Sequence, residues 1–147
     1  MLTITIAEGK LIRDTEMFGT MDPYCTITFK NQKFKTRIHN GGGKKPIWGD
    51  TFSIETTSPT EEIVLRCWDQ DVTTSDPIGF VTIKLSSLMI NCGVEDWFPI
   101  MFENKTAGEI FIKSKFEPKG GNLYEQEIQK VKESNEKNLK EAEEAKA

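Results

Sequence analysis

The stretch GEIFIKSKF, residues 108–116, alternates apolar and polar side chains along most of its length. Ile110 and Ile112 fall on one face of an extended chain, whereas Lys113 and Lys115 fall on the other. Strand side chains alternate with a period of two, so this pattern predicts a β-strand with one buried face. The segment is rich in the β-branched and aromatic residues that strands favour.

The same kind of pattern, or a comparable β-branched and aromatic run, recurs along the first 117 residues. It predicts eight strands: 2–7, 25–30, 33–38, 50–56, 62–69, 78–85, 95–100 and 108–116. Segments containing glycine or proline separate them at 19–23, 40–46, 57–60, 76–79 and 104–108. One helical turn is expected around 85–89. Short strands with turns between them indicate an all-β fold, an eight-stranded antiparallel β-sandwich.

Composition changes near residues 117–122, where EPKGGN leads into a segment of mostly Glu, Lys, Asn, Gln and Ala. We therefore predict a sandwich over 1–117, a hinge over 118–122 and a charged helical tail over 123–147. Spacings such as Glu133–Lys137 suit a helix. The tail has too few apolar residues for a regular coiled-coil seam, so a solvated single helix is favoured. A protein partner for the tail stays open.

The bulk composition argues against several classes of protein. A net charge of −4 is unlike that of a nucleic-acid-binding domain, which needs a dominant basic surface. Three cysteines without paired spacing suggest buried free thiols in a reducing cytosol. The N-terminus has no signal-peptide pattern, so a cytoplasmic protein is expected. His39 is the single histidine, and no nucleophile motif accompanies it, so no enzymatic activity is expected.

Two predicted loops concentrate carboxylates. The first, residues 14–24, carries Glu16 and Asp22; the second, residues 68–79, carries Asp69, Asp71 and Asp76. Ca²⁺ takes six to eight oxygen ligands in a flexible arrangement, whereas Mg²⁺ demands a tighter octahedron. Two carboxylates about 4 Å apart repel by roughly 4 kcal/mol at an effective dielectric near 20. A cation would relieve that repulsion if the loops converge. Aspartate is also simply common in turns, and that alternative stays open.

Three segments carry a family resemblance: GTMDPY at 19–24, KPIWGDTF at 45–52, and VLRCWDQD at 64–71 followed by Asp76-x-x-Gly79. In this order they resemble the C2 domain, the Ca²⁺- and phospholipid-binding module found in protein kinase C and synaptotagmin. The resemblance spans about residues 1–117 and is closest to small stand-alone C2 proteins. It implies type II topology, because the chain begins with the strand before the first calcium loop.

The resemblance also implies a set of metal ligands. The family's acidic ligands fall on Glu16, Asp22, Asp69, Asp71 and Asp76, with backbone carbonyls of Thr15 and Gln70 and a hydroxyl of Thr73 or Thr74 completing the shell. At least one Ca²⁺ is expected, with two as the favoured number. The chain departs from the family in having Glu16 where Asp is usual, and in a second acidic loop that is one residue short between Asp71 and Asp76.

Apolar residues flank the acidic ones. Met17 and Phe18 follow Glu16, and Val72 follows Asp71, so these three are candidates for membrane insertion. Inward packing of Met17 and Phe18 is the alternative. A predicted basic hairpin is a candidate patch for anionic lipid or phosphoinositide headgroups, or else a solvated sheet face. Its residues are Lys33, Lys35, Arg37, Lys44 and Lys45.

Together these features predict a Ca²⁺-dependent module that binds phospholipid membranes as a peripheral signalling or trafficking protein, cytoplasmic and reversibly bound. The alternative is a Ca²⁺-independent adaptor that binds phosphoinositides or proteins through the basic hairpin and the tail.

Overall fold

The computed structural model describes residues 1–117, in which eight strands and two short helical turns form. The strands are β1 Leu2–Leu11, β2 Pro23–Phe29, β3 Gln32–Lys35, β4 Ile47–Ile54, β5 Glu62–Gln70, β6 Ser75–Lys84, β7 Glu95–Phe102 and β8 Lys105–Phe116. An α-helical turn, α1, covers Leu85–Met89 as predicted, and a 3₁₀ turn covers Ile90–Cys92. The predicted hinge, 118–122, and helical tail, 123–147, lie outside the described residues.

The strands make two antiparallel sheets. Their order is β3-β2-β5-β6-β7-β8-β1-β4, and β6 meets β7 at a single residue pair, Phe80 with Met101. That bridge divides the order into β3-β2-β5-β6 and β7-β8-β1-β4, which confirms the predicted sandwich. The first acidic loop follows β1, and the second joins β5 to β6. This connectivity agrees with the expected type II topology.

The core lies between the two sheets. Leu2, Ile4 and Ile6 of β1 are fully buried, as are Ile110 and Ile112 of β8. The opposite sheet contributes Cys25, Ile27, Phe29, Ile63, Leu65 and Cys67. Full burial of each large apolar side chain contributes about 1.5–3 kcal/mol. The period-two alternation read from the sequence therefore identifies the buried face correctly.

Trp48 and Trp68, both of which hydrophobic aromatic character predicts to lie in the core, differ in burial. Trp48 is buried, and its Nε1 donates to the carbonyl of Pro23 at 2.9 Å. Trp68 is only half-buried and lies on the outer face, where its Nε1 donates to Thr26 Oγ1 at 3.1 Å. The core assignment of Trp68 was wrong, because its strand neighbours Cys67 and Asp69 take the inward positions.

Two predicted breaks fall inside strands. Pro77 lies in β6 opposite Trp68, where the register of the β5–β6 pair shifts. Proline is tolerated at such irregular positions. Gly108 lies in β8 with φ of 150°, and an added Cβ there would stand 2.5 Å from the Lys10 carbonyl oxygen. Both residues mark local irregularities of strands and not chain reversals.

Cysteine burial follows the prediction in part. Cys25 and Cys67 are buried and free, but Cys92 is exposed, so the expectation of buried thiols is wrong there. Cys92 lies in the 3₁₀ turn beside Asn91, and both residues have positive φ.

Within the described part of the chain, none of the helices has the length and apolar character that crossing a membrane requires.

Candidate metal and membrane site

The two acidic loops lie side by side at one end of the sandwich. Pro23 at the start of β2 pairs with Asp69 of β5, and Asp69 pairs with Asp76 of β6. Because β2, β5 and β6 are neighbours, the segments at residues 12–22 and 71–74 are adjacent at this edge. We call this edge the acidic end.

Three carboxylates converge at the acidic end. One oxygen each from Glu16, Asp69 and Asp71 lies within 4.8 Å of the others. Asp69 is fully buried, while Glu16 and Asp71 are partly exposed. Asp76 stands beside this cluster, because it is the register partner of Asp69 across the β5–β6 pair. Four of the predicted acidic ligands are therefore brought together.

Asp69 is held in place by donors from the first loop. Thr15 Oγ1 donates to Asp69 Oδ2 at 2.7 Å, and the Asp22 backbone N–H donates to Asp69 Oδ1 at 2.8 Å. These bonds explain how a carboxylate can be buried without an adjacent base. The sequence pointed to the Thr15 carbonyl and missed its hydroxyl, because this contact joins a loop residue to a strand residue 54 positions later in the chain.

Asp22 lies at the acidic end but outside the three-carboxylate cluster. Its Oδ1 accepts a hydrogen bond of 2.7 Å from the Gly41 N–H, and its carbonyl accepts from Gln70 N–H at 3.0 Å. Asp22 thereby connects the 36–46 segment to β5. Its role as a metal ligand stays a prediction.

Gln70 closes the second acidic loop through its side chain. Its amide Nε2 donates to the Asp71 carbonyl at 2.7 Å, and its Oε1 accepts from Ser75 Oγ at 3.2 Å. A further bond joins the Asp71 N–H to the Thr74 carbonyl at 2.8 Å. These hydrogen bonds hold the short loop, and the ligand role expected for the Gln70 carbonyl remains a prediction.

Crowding of like charges shifts the acidity of this end. Hydrogen bonds with Asp69 and Asp71, followed by partial desolvation and Coulombic repulsion, raise the pKa of Glu16 to about 7. The pKa of Asp76 is also raised, chiefly by its hydrogen bond with Asp71, although Arg13 opposes the shift. The carboxylates of the cluster offer hard oxygen ligands, and a dication would compensate the repulsion between them. The residues present therefore fit Ca²⁺.

Proton release is the first expected consequence. Ca²⁺ binding near pH 7 should release protons, because Glu16 is partly protonated without the cation and must ionise to ligate it. Affinity should fall as pH drops from 7 towards 5. Calorimetry in buffers of different ionisation enthalpy measures the proton count. Glu16→Gln should reduce that count, and an equal count in both proteins would contradict the assignment.

The predicted insertion residues project into solvent at the same end. The side chains of Met17 and Phe18 are 91% and 87% exposed, and Val72 is 101% exposed. Inward packing of Met17 and Phe18 is therefore not what the structure shows. Large apolar side chains with such exposure, on loops beside a charged cluster, are typical of interaction sites.

The basic candidates divide into two groups. Lys33, Lys35, Lys44 and Lys45 are exposed. Arg37 instead pairs with Asp50: its Nη2 and Nε lie 2.9 Å and 3.0 Å from Asp50 Oδ1, and its backbone N–H donates to Oδ2 at 2.7 Å. Much of the Arg37 charge is therefore compensated within the chain.

Register adds one basic residue that sequence reasoning missed. Thr26 pairs with Lys35 on one side and with Arg66 on the other, so Lys35 and Arg66 project from the same outer face of the sheet. Lys35 also lies over the Tyr24 ring, 4.5 Å from its centroid. Knowledge of the strand pairing would have been needed to find Arg66.

The Arg37–Asp50 pair predicts a pH-dependent contribution to stability. Its hydrogen bonds lower the pKa of Asp50. A lowered pKa in the folded state stabilises above the unfolded value, about 3.9, and this contribution is lost as pH falls through the folded pKa. The melting temperature of Asp50→Asn should lie below wild type at pH 7, and the gap should close below about pH 4. Glu109→Gln, at an exposed strand position, is the control and should show no such gap.

These features define a class of protein: an antiparallel β-sandwich module with a carboxylate cluster and apolar loop tips at one end. A family model described as C2 domain matches residues 1–100. The 16 kDa phloem protein 2 of Arabidopsis thaliana is 27% identical over 119 residues, covering 80% of this chain and 81% of that protein. The chain belongs to the C2 domain family.

Two further comparisons agree. The solved structure of a C2 domain-containing protein from putative elicitor-responsive gene matches with a TM-score of 0.69 and 27% identity, covering 81% of this chain and 89% of that one. An Arabidopsis thaliana protein named calcium-dependent lipid-binding protein is 32% identical over 90 residues, which is 59% of this chain and 17% of that protein.

Proposed function

We propose that this protein binds Ca²⁺ at the acidic end and, with the ion bound, docks on anionic phospholipid membranes. The observation that carries the proposal is the juxtaposition of the Glu16–Asp69–Asp71 cluster with three exposed apolar tips. The protein acts as a binding module without catalytic activity. It is cytoplasmic and reversibly peripheral at membranes, with a signalling or trafficking role.

Charge controls the docking step. Without a cation the acidic end is negative and is repelled by the negative surface potential of an anionic membrane. A bound dication compensates the carboxylates and can accept lipid phosphate oxygens as further ligands. Glu16 and Asp71, the two partly exposed members of the cluster, lie closest to the side from which a headgroup can approach.

Apolar contact then supplies most of the affinity. Met17 and Phe18 lie in the first acidic loop and Val72 lies in the second, so both loops can enter the headgroup region together. Full burial of a Phe or Met side chain contributes about 1.5–3 kcal/mol. The relative named calcium-dependent lipid-binding protein supports this reading of the site.

The test is vesicle sedimentation with phosphatidylserine-containing and neutral phosphatidylcholine vesicles, in Ca²⁺ and in chelator. The protein should pellet with the anionic vesicles in Ca²⁺ and remain in the supernatant with chelator. Equal binding in Ca²⁺ and chelator would overturn the proposal. Mg²⁺ in place of Ca²⁺ is the matched control and should give little binding.

The second candidate, a Ca²⁺-independent adaptor, is favoured by one observation. Lys33, Lys35 and Arg66 share an outer sheet face away from the acidic end. Each basic residue near an anionic surface contributes roughly 1 kcal/mol. Binding that persists in chelator and is lost in the Lys33→Ala/Lys35→Ala variant would establish this function in place of the first.

A further inference from the structure

Two thiols face each other across neighbouring strands in the core. Cys25 of β2 and Cys67 of β5 are partners in the antiparallel register, and both are free and fully buried. They are 42 residues apart in sequence, so no local motif predicts the pair. The function proposed above makes no use of them.

The hydrogen bonds of Cys25 define the type of pair. Its N–H donates to Thr36 Oγ1 at 2.9 Å, and its carbonyl accepts from the Thr36 N–H at 2.9 Å. Both backbone groups therefore point away from β5. In an antiparallel pair this makes Cys25–Cys67 a non-hydrogen-bonded position, where the Cα atoms are about 4.5 Å apart and the side chains approach most closely.

That spacing suits a covalent bond between the sulfur atoms. Disulfides form at Cα separations of about 4.4–6.8 Å, so the strands need little movement. Burial, and after it the neighbouring Cys67 thiol, raises the pKa of Cys25. A thiol with a raised pKa is a poor initial nucleophile, so Cys25 is assigned the second step of the reaction.

A surface cavity borders the Cys67 position, although the Cys67 side chain itself is fully buried. A cavity of about 300 Å³ is lined by Cys67, Gly79, Phe80 and Phe102 among others. It lies at the seam where the two sheets meet through the Phe80–Met101 pair. A molecule as small as hydrogen peroxide fits such a cavity, whereas a bulky disulfide such as oxidised glutathione would have to enter the packed core to form its mixed disulfide.

We propose that Cys25 and Cys67 form an oxidative modification site, at which hydroperoxides convert the two thiols into a cross-strand disulfide. The Cys67 sulfur attacks the peroxide, the O–O bond breaks, and Cys67 sulfenic acid and water form. The Cys25 sulfur then attacks the sulfenic sulfur, and a second water leaves with the Cys25 proton. Two thiols are oxidised and one peroxide is reduced to two waters.

The disulfide would act directly beneath the acidic end. Cys25 lies two residues after Pro23, and Cys67 lies two residues before Asp69, which are themselves paired. The cross-link would hold together the ends of β2 and β5 that support Asp69. It would also close a long loop in the unfolded chain, which stabilises the folded state.

The test uses the Cys92→Ser variant, so that the exposed thiol cannot react. The folded protein is treated with hydrogen peroxide, quenched with an alkylating agent in denaturant, and analysed by mass spectrometry. Loss of two hydrogens, a peptide linking Cys25 to Cys67, and a melting temperature raised by at least about 5 °C are expected. Cys92→Ser/Cys25→Ala is the control, in which Cys67 sulfenic acid should be trapped by dimedone added together with the denaturant.

Three outcomes would overturn the proposal. The thiols could survive in the folded protein under conditions that oxidise the urea-unfolded chain. The sulfur atoms could instead gain oxygen without forming a bond to each other. The linked peptide could form while the melting temperature falls, which would show that the folded state does not accommodate the bond. The Cys92→Ser measurement decides between these outcomes even where the control variant folds poorly.

Discussion

Replacing Asp71 by asparagine is expected to abolish the calorimetric heat of Ca²⁺ binding that the wild-type protein should give. Asp71 contributes an oxygen to the three-carboxylate cluster and is the main cause of the raised pKa of Asp76. Loss of outer partners of a metal site typically costs 10–100-fold in affinity, so loss of a direct carboxylate ligand should cost more than about 100-fold.

The choice of Asp71 over Asp69 keeps the test free of folding effects. Asp69 accepts hydrogen bonds from Thr15 and from the Asp22 backbone, so Asp69→Asn should also disturb the first loop. Asp71 is partly exposed, and its neighbours there are carboxyl groups. Neutralising it removes repulsion, so the melting temperature of metal-free Asp71→Asn should equal or exceed that of the wild type.

Calorimetry of wild type, Asp71→Asn and Glu95→Gln separates the alternatives. Glu95 is an exposed carboxylate of β7, a strand at the far side of the β6–β7 bridge, and its variant should bind Ca²⁺ as the wild type does. Undiminished binding by Asp71→Asn would remove the metal site from the cluster. Wild-type protein that gives no heat would argue against a Ca²⁺ function altogether.

Most of the correct predictions of the fold and of the candidate site came from the strand pattern and the loop sequences. The alternation of Ile110 and Ile112 with polar residues predicts a buried strand face, and the DPY and DQD segments predict two acidic loops. Neither pattern says which strands are neighbours. The convergence of Glu16 with Asp69 depends on β2 pairing with β5 and on Thr15 reaching across, contacts that only the folded chain supplies.

The pairing of charged side chains also could not be predicted from the sequence. The alternation at residues 33–37 predicts three basic side chains on one strand face, but β3 ends at Lys35, and Arg37 beyond it is paired with Asp50 of β4. The alternation also cannot show that Arg66 lies on the same sheet face as Lys35, on the other side of their shared register partner Thr26. Each of these contacts links segments that are distant in sequence, so a pattern read within one segment has no access to it.

Replacing Met17 and Phe18 by serine is expected to reduce binding to anionic vesicles in Ca²⁺ without changing Ca²⁺ affinity in solution. Neither side chain packs on the core, since they are 91% and 87% exposed. Half-burial of both at the membrane would contribute about 1.5–3 kcal/mol, so partitioning should fall about 10–100-fold. Vesicle titration followed by sedimentation measures the partition coefficient.

Ile90→Ser provides the matched control for that experiment. Ile90 is also a large apolar residue, 57% exposed, but it follows α1, which begins where β6 ends. The second acidic loop precedes the start of β6, so Ile90 and the tips lie at opposite ends of a ten-residue strand. Ile90→Ser should partition as the wild type does, because its side chain faces away from a membrane docked on the acidic end. Equal losses of vesicle binding in both variants would show that any exposed apolar side chain promotes membrane binding. The proposal that the bound cation directs Met17 and Phe18 into the membrane would then be wrong.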